Sequence, residues 1–329
     1  MPMTQYGDIS PRTAAYASVE LLKRGMPYLH FEKFCDSKPL PGNKSISMKF
    51  RRYNSLPLAL TPLTEGVTPS SKKLTSTDIT MVLAQYGDLV EITDIIADTH
   101  EDPILQETET ILGEQAAKTV ETIRFGVAKA CSNKFYANGT TRVAVNTAIT
   151  LGKQRKITRA LKRQNAEMIT SFLKSTPNFN TDSVAPTFVC LCHTDCETDI
   201  RAITGFIDVK DYGTISPWEG EVGGVESARY LTSNLYVPYP DAGGAAGAMI
   251  STSGAAADVY PYIFIAKHSM AISALKGKYA ITPIVINPVP SKSDPMGQRG
   301  SVSWKTMQGA VILNDAWFGV LEAAVNELQ

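Results

Sequence analysis

Phe50–Asp94 reads FRRYNSLPLALTPLTEGVTPSSKKLTSTDITMVLAQYGDLVEITD. Both ends have strand character and the middle has turn chemistry. From Ser45 to Tyr53, Ile46, Met48 and Phe50 alternate with Ser47, Lys49 and Arg51, the pattern of a half-buried strand. Thr75–Ile95 is rich in β-branched residues, with Ile79, Thr80 and Val82 and then Val90, Ile92, Thr93 and Ile95. Between them, Pro62–Lys73 holds two prolines, one glycine and several polar residues. The stretch therefore predicts a long two-stranded excursion with a polar tip. Two strands alone are marginal in water, so such an arm needs an outside surface.

The following segment predicts a rod. Asp102 is a good N-cap and Pro103 suits the first helical position. Leu112, Ala116, Val120, Ile123 and Val127 recur at helical spacing. Glu101, Asp102, Glu107 and Glu109 crowd the start, and Arg124, Lys129 and Lys134 lie towards the end, which suits the helix dipole. Roughly 28 residues at about 1.5 Å each make a rod of about 40 Å. Ordinary helices run about three turns, so this one reads as a spine.

Upstream, Met1–Asn43 is broken by Pro2, Pro11, Pro27, Pro39 and Pro41. Between the prolines, Thr13–Arg24 is amphipathic, with Ala15, Val19 and Leu22 on one face. One short helix builds no core, so it docks on its own domain or on a neighbour. The residues alone favour its own domain.

Downstream, Asn138-Gly139 signals a turn. Arg142–Ile149 then reads as a short apolar strand and Lys153–Ala166 as a basic helix. Thr187–Leu191 reads as a buried strand, Asp195–Ile203 as a helix, and Val225–Leu231 and Tyr260–Ile265 as strands. Gly243–Ala257 predicts a mobile small-residue loop. Ala310–Leu313 reads as a strand, while Asp315–Leu328 favours helix over strand.

Composition is that of an ordinary soluble chain, long enough for a sizeable core and for about two domains. The 32 basic residues equal the 32 acidic ones, so the chain lacks the basic excess of a dedicated duplex binder. Neutrality favours self-association. No signal peptide is readable at the N-terminus, and Ala242–Ala257 is too short for a membrane span. Five cysteines, an odd number, point to reduced thiols in a cytoplasm. The sequons at Asn43 and Asn138 carry no weight there.

Candidate chemistry is sparse. Cys190, Cys192, His193 and Cys196 are zinc-type ligands, but the spacing lacks a second knuckle. On a strand, Cys190 and Cys192 share a face and His193 turns away, which favours a structural role. The basic helix, with Lys153, Arg155, Lys156, Arg159, Lys162 and Arg163, has no interleaved aromatics. A solvated face is its plainer reading and weak phosphate contact the alternative. Gly220, Gly223, Gly224, Gly243, Gly244 and Gly247 form no nucleotide-binding motif. No nucleophile elbow or zinc-protease motif occurs. His30, His100, His193 and His268 are scattered.

Several stretches resemble a family of virus shell proteins. They are PLTEGVTP (62–69), QYGDLVEITD (85–94), EDPIL with LGEQAA (101–117) and DPMGQRGSVSWK (294–305). Weaker ones are WEGEVGGVESARYLTSN (218–234) and DVYPYIFIAKHSMAI (258–272). They occur in family order and span most of the chain from about Phe31. The family they resemble is that of tailed-bacteriophage major capsid proteins of enquatrovirus type. Ile265-Ala266-Lys267-His268 departs from its usual leucine-glycine-lysine-aspartate, in a strand and turn.

The resemblance implies an α+β chain with the Hong Kong 97-type capsid fold. Residues 1–45 would be the N-terminal arm and 46–97 the extended loop. Residues 98–139 with 282–329 would form the peripheral domain, and 140–281 the axial domain. It implies no enzyme and no cofactor. The function implied is an icosahedral shell of hexamers and pentamers around double-stranded DNA, located in the virion and assembled in the host bacterial cytoplasm. Partners would be other copies of the chain, scaffolding, portal and decoration proteins, and DNA held on the inner face without sequence specificity, with no membrane. Glu65, Lys72 and Lys73 at the tip, and Val19 and Leu22 on the arm helix, are the candidate subunit contacts. Some relatives crosslink a lysine to an asparagine; Lys72 and Lys73 lie near the tip, and no crosslink is expected here. An encapsulin-like compartment is the first alternative and a cytosolic α/β enzyme the second.

Overall fold

The computed structural model describes residues 29–43, 45–63, 65–93, 104–169, 186–212, 217–275, 277, 281–286, 290 and 295–328, with side chains of the long helix from Thr108. The N-terminal part holds α1 (Phe31–Phe34), β1 (Asp36–Ser37), β2 (Ser47–Tyr53), β3 (Ser76–Val82), β4 (Ala84–Thr93) and the long α2 (Ile104–Lys129). The central part holds β5 (Lys134–Tyr136), α3 (Leu151–Arg163), β6 (Phe188–Cys192), α4 (Glu197–Arg201), β7 (Phe206–Asp208), β8 (Glu221–Val225) and β9 (Ala228–Thr232). Then come β10 (Tyr260–Ile265), β11 (Met270–Ala274), β12 (Ile281–Ile286), β13 (Arg299–Ile312) and β14 (Phe318–Ala323).

One sheet has seven strands in the order β5-β14-β10-β6-β9-β8-β7. Its central strands are continuous apolar runs because both faces are covered. Phe188, Cys190 and Cys192 of β6, with Tyr260, Tyr262 and Phe264 of β10, face one layer, where Ile157 and Leu161 of α3 lie. Val189, Leu191, Ile263 and Ile265 face the other, with Phe31 and Phe34 of α1 and Phe125 of α2. Each such large side chain removed from water contributes about 1.5–3 kcal/mol.

A second sheet is organised on the 14-residue β13. β4 pairs along one edge, while β11 and β12 occupy successive halves of the other. Leu112 and Ala116 of α2 pack on this sheet with Ile92, Val302 and Trp304. The C-terminal end of α2 reaches the seven-stranded sheet through Phe125 and Ala128. At 26 residues and about 1.5 Å each, α2 is a rod of about 39 Å that spans both. Its expected cap, Asp102-Pro103, lies outside the described residues.

Several expectations need correction. Arg142–Ile149 is no strand but one 3₁₀ turn, Arg142–Ala144, and a loop. Asn138 takes the place of a strand partner: its amide donates to Ala144 O, and its carbonyl accepts from Asn146 N–H and the Thr147 hydroxyl. Val225–Leu231 is a hairpin rather than one strand, turning at Glu226-Ser227 with Glu226 at φ 48°. That turn lacks the Asn or Gly that would mark it in sequence. Asp315–Leu328 is a 3₁₀ turn and strand β14, not a helix. All six β14 residues are buried, and a run buried on both faces shows no period to tell it from a helix. Gly243–Ala257 is knitted by backbone bonds, Gly243 N–H to Ala257 O and Ala257 N–H to Gly244 O, and by Asp258, which accepts from Asp241 and Thr252 N–H.

Candidate intersubunit surface

β2 and β3 form a hairpin in register from Ser47↔Val82 to Tyr53↔Ser76. Only its root is covered: Met48 and Phe50 pack with Leu40, Met81 and Leu83. Further out, Arg51 forks onto Asp78 directly opposite, at 2.8 and 2.9 Å, and this bond holds the Asp78 carboxyl below its usual range. The ladder closes where Asn54 N–H donates to Thr75 O. Beyond it, residues 55–74 form no described strand. Lys72 Nζ donates to Pro57 O at 3.3 Å and joins the two limbs.

The tip is more apolar than its middle suggested. Leu56, Leu58, Leu60, Leu63, Val67 and Leu74 are all exposed. A readable signal was present in Leu56-Pro57-Leu58-Ala59-Leu60, an alternation with no strand to pair it. Glu65, Lys72 and Lys73 are exposed on the same tip. Val19 and Leu22, and with them the whole amphipathic stretch Thr13–Arg24, lie outside the described residues.

The root of the N-terminal segment is anchored firmly. Leu29 packs on Ala117 and Val120 of α2, and β1 pairs in parallel with β11. Arg124 of α2 binds Glu32 at 2.8 Å and Gln308 of β13 at 2.7 Å. Glu121 accepts the His30 and Phe31 backbone N–H groups. Burial raises the Glu121 carboxyl to about 7 and lowers His30 to about 4.

Three of the cysteines lie together, with the Cys192 thiol beside those of Cys190 and Cys196, and His193 does not join them. Cys190, Cys192 and Cys196 are buried in one core layer, where desolvation raises each thiol. His193 instead accepts Asp195 N–H at 3.2 Å, capping the turn after β6. Among the described residues no group of His, Cys, Asp or Glu is placed to hold a metal. His30 is bonded to Tyr236 and His268 to Asp36, and His100 lies outside the described residues. A cavity of about 350 Å³ at the hairpin root is lined by Lys38, Phe50, Arg52, His268, Leu313 and Trp317.

The basic helix is α3. Gln154, Ile157, Thr158 and Leu161 are buried, while Arg155, Lys156, Arg159, Lys162 and Arg163 are exposed. Arg155 pairs with Glu226, and Lys162 donates to Ser227. No helix among the described residues is long and apolar enough to cross a membrane.

Known proteins of the same build carry this description to a family. A profile described as "Phage capsid protein" matches residues 77–321. No curated protein matches by sequence. Among solved structures, the chain is similar to the capsid of Ralstonia phage GP4, with TM-score 0.66, 12% identity and 90% of this chain covered against 88% of that one. It is similar to the Cyanophage Pam1 capsid, with TM-score 0.61, 13% identity and 92% and 93% covered. The head structure of Helicobacter pylori bacteriophage KHP40 gives 0.55, 12%, and 88% and 87%. At these identities the likeness is one of fold, while the profile covers most of the chain: this protein belongs to the phage capsid protein family.

Proposed function

We propose that this member of the phage capsid protein family is the major capsid protein of a tailed phage, a structural subunit of the virion shell built from many copies of itself. We propose the finer reading: a Hong Kong 97-type subunit of enquatrovirus kind that forms hexamers and pentamers of an icosahedral shell around double-stranded DNA. Residues 1–45 serve as the arm and 46–97 as the extended loop. Residues 98–139 with 282–329 form the peripheral part and 140–281 the axial part, while β5 and β14 lend their strands to the axial sheet. Assembly takes place in the host bacterial cytoplasm, with scaffolding, portal and decoration proteins as partners.

The observation that carries this reading is the tip at 55–74. It exposes six large apolar residues on a hairpin whose root is fixed to the body. An apolar surface of that kind on an isolated chain marks an interaction site. A second copy is the fitting occupant for a subunit of a multi-copy shell. Light scattering and electron microscopy of the purified full chain, with and without co-expressed scaffolding protein, test the reading. Closed shells or capsomers are expected; a stable monomer under every condition would overturn it.

A further inference from the structure

We infer that the exposed flank of α3 is a phosphate-contact surface for the packaged duplex, which turns this face of the seven-stranded sheet towards the shell interior. The inference rests on the reading of a shell that encloses double-stranded DNA. Leu151–Arg163 carries six basic residues and no acidic one, while the whole chain is formally neutral. Everything outside this helix is therefore net negative by six charges, and the positive charge is gathered rather than spread. At about 3.6 residues per turn, Arg155, Lys156, Arg159, Lys162 and Arg163 fall within about a third of the circumference. Arg155, Arg159 and Arg163 run along it for about 12 Å, one step per helical turn. The flank borders a groove of about 660 Å³ with Gly152 and Ser227 on its walls.

Two features select the occupant. Glu226 pairs with Arg155 and lies near the charge of Lys162, while Lys156, Arg159 and Arg163 have no carboxylate partner among the described residues. The flank also exposes no aromatic or large aliphatic side chain. A protein partner buries an apolar core with charges at its rim. A nucleic-acid backbone needs only regularly spaced cations and releases its counterions to them. The absence of aromatics on the flank further argues against base stacking, so contact is with phosphates and indifferent to sequence.

The test uses the full chain as soluble subunits and a short random-sequence DNA duplex, with affinity read across a salt series. The triple variant Lys156→Gln, Arg159→Gln, Arg163→Gln keeps good helix formers. It is expected to lower the slope of log affinity on log salt by about 0.9 per lost contact, about 2.7 in all. A control of equal charge, Lys49→Gln, Lys210→Gln, Lys305→Gln, is expected to keep the wild-type slope. An unchanged slope in the helix variant, or an equal fall in the control, overturns the inference. So does a helix variant that folds by circular dichroism, keeps its slope and no longer assembles, because α3 then faces a neighbouring copy. Electron microscopy of DNA-filled shells gives an independent reading: duplex density against α3 supports the inference, and α3 on the outer surface refutes it. Absence of shells from the wild-type chain would sink the shell reading instead, whatever the duplex titration gives.

Discussion

The Tyr236 hydroxyl donates to Glu121 Oε1 at 2.9 Å, and the same oxygen accepts the His30 and Phe31 backbone N–H groups at 3.0 and 3.2 Å. One buried carboxylate oxygen therefore joins the root of the N-terminal segment, the long helix and the loop after β9. Its partner oxygen, Oε2, has no hydrogen bond among the described residues. Buried carboxylates so placed are costly when ionised.

Stability at this site is expected to depend on pH. Desolvation raises Glu121 from 4.5 to about 7, against the opposing pull of Arg124, Tyr236 and the two backbone bonds. Between these values the folded chain keeps a proton that the unfolded chain gives up, so stability falls as pH rises through the window. His30, lowered from 6.5 to about 4, acts the other way, with stability lost as pH falls from 6.5 to 4. Glu121→Gln keeps the acceptor and the His30 contribution, so comparison with wild type isolates the carboxyl. Urea denaturation of soluble subunits should show the variant gaining on wild type from pH 4.5 to 7 and a constant difference above. A gap that moves the other way would mean that Arg124, not burial, governs this carboxyl.

Phe31→Ala is expected to destabilise the subunit by about 3–5 kcal/mol. Phe31 is fully buried between the seven-stranded sheet and α2, edge-on to Tyr236 at a centroid distance of 6.1 Å. The loss should appear in the denaturation midpoint. A change below about 0.5 kcal/mol, the range of ordinary surface substitutions, would show that the N-terminal root is not anchored there.

Leu58→Ser combined with Leu60→Ser should separate assembly from folding. The two side chains are 80% and 83% exposed in the subunit, so subunit stability should shift by no more than about 0.5 kcal/mol. Under the proposed reading the same leucines cover a neighbour in the shell, so shell yield by electron microscopy should fall sharply. Normal shells from the double variant would remove the tip from the contact.

Trypsin should cut after Lys72 or Lys73 in free subunits and slowly or not at all in shells. Both lysines are exposed on the tip, which has few internal bonds besides Lys72 to Pro57. Local opening there is easy, and cleavage follows the open population. Timed digestion with mass spectrometry measures both forms. Equal rates would show that the tip lies free in the shell.

Elements with a one-sided environment could be read from sequence. Leu112, Ala116 and Val120 mark the buried stripe of α2 because its other side meets solvent, and Ser47–Tyr53 is the strand its alternation predicts, paired with Ser76–Val82; the rest of the expected second limb, Ala84–Thr93, instead joins the sheet of β13, a partner that its β-branched content could not name. The basic row of α3 was equally plain, since charge needs no partner to be visible in a sequence. Packing in three dimensions settled the rest. β14 lies between β5 and β10 and is buried on both faces, so no periodicity distinguishes it from a helix. Asn138 satisfies the backbone of 144–147 from outside any sheet, and the β8–β9 turn places Glu226 where glycine is usual. Cys190 and Cys192 join Cys196 in a core layer because β6 carries them to the same face, while His193 is spent on a cap. Local pattern encodes which face of an element prefers water; which distant partner covers the other face depends on chain topology, and no window of sequence contains it.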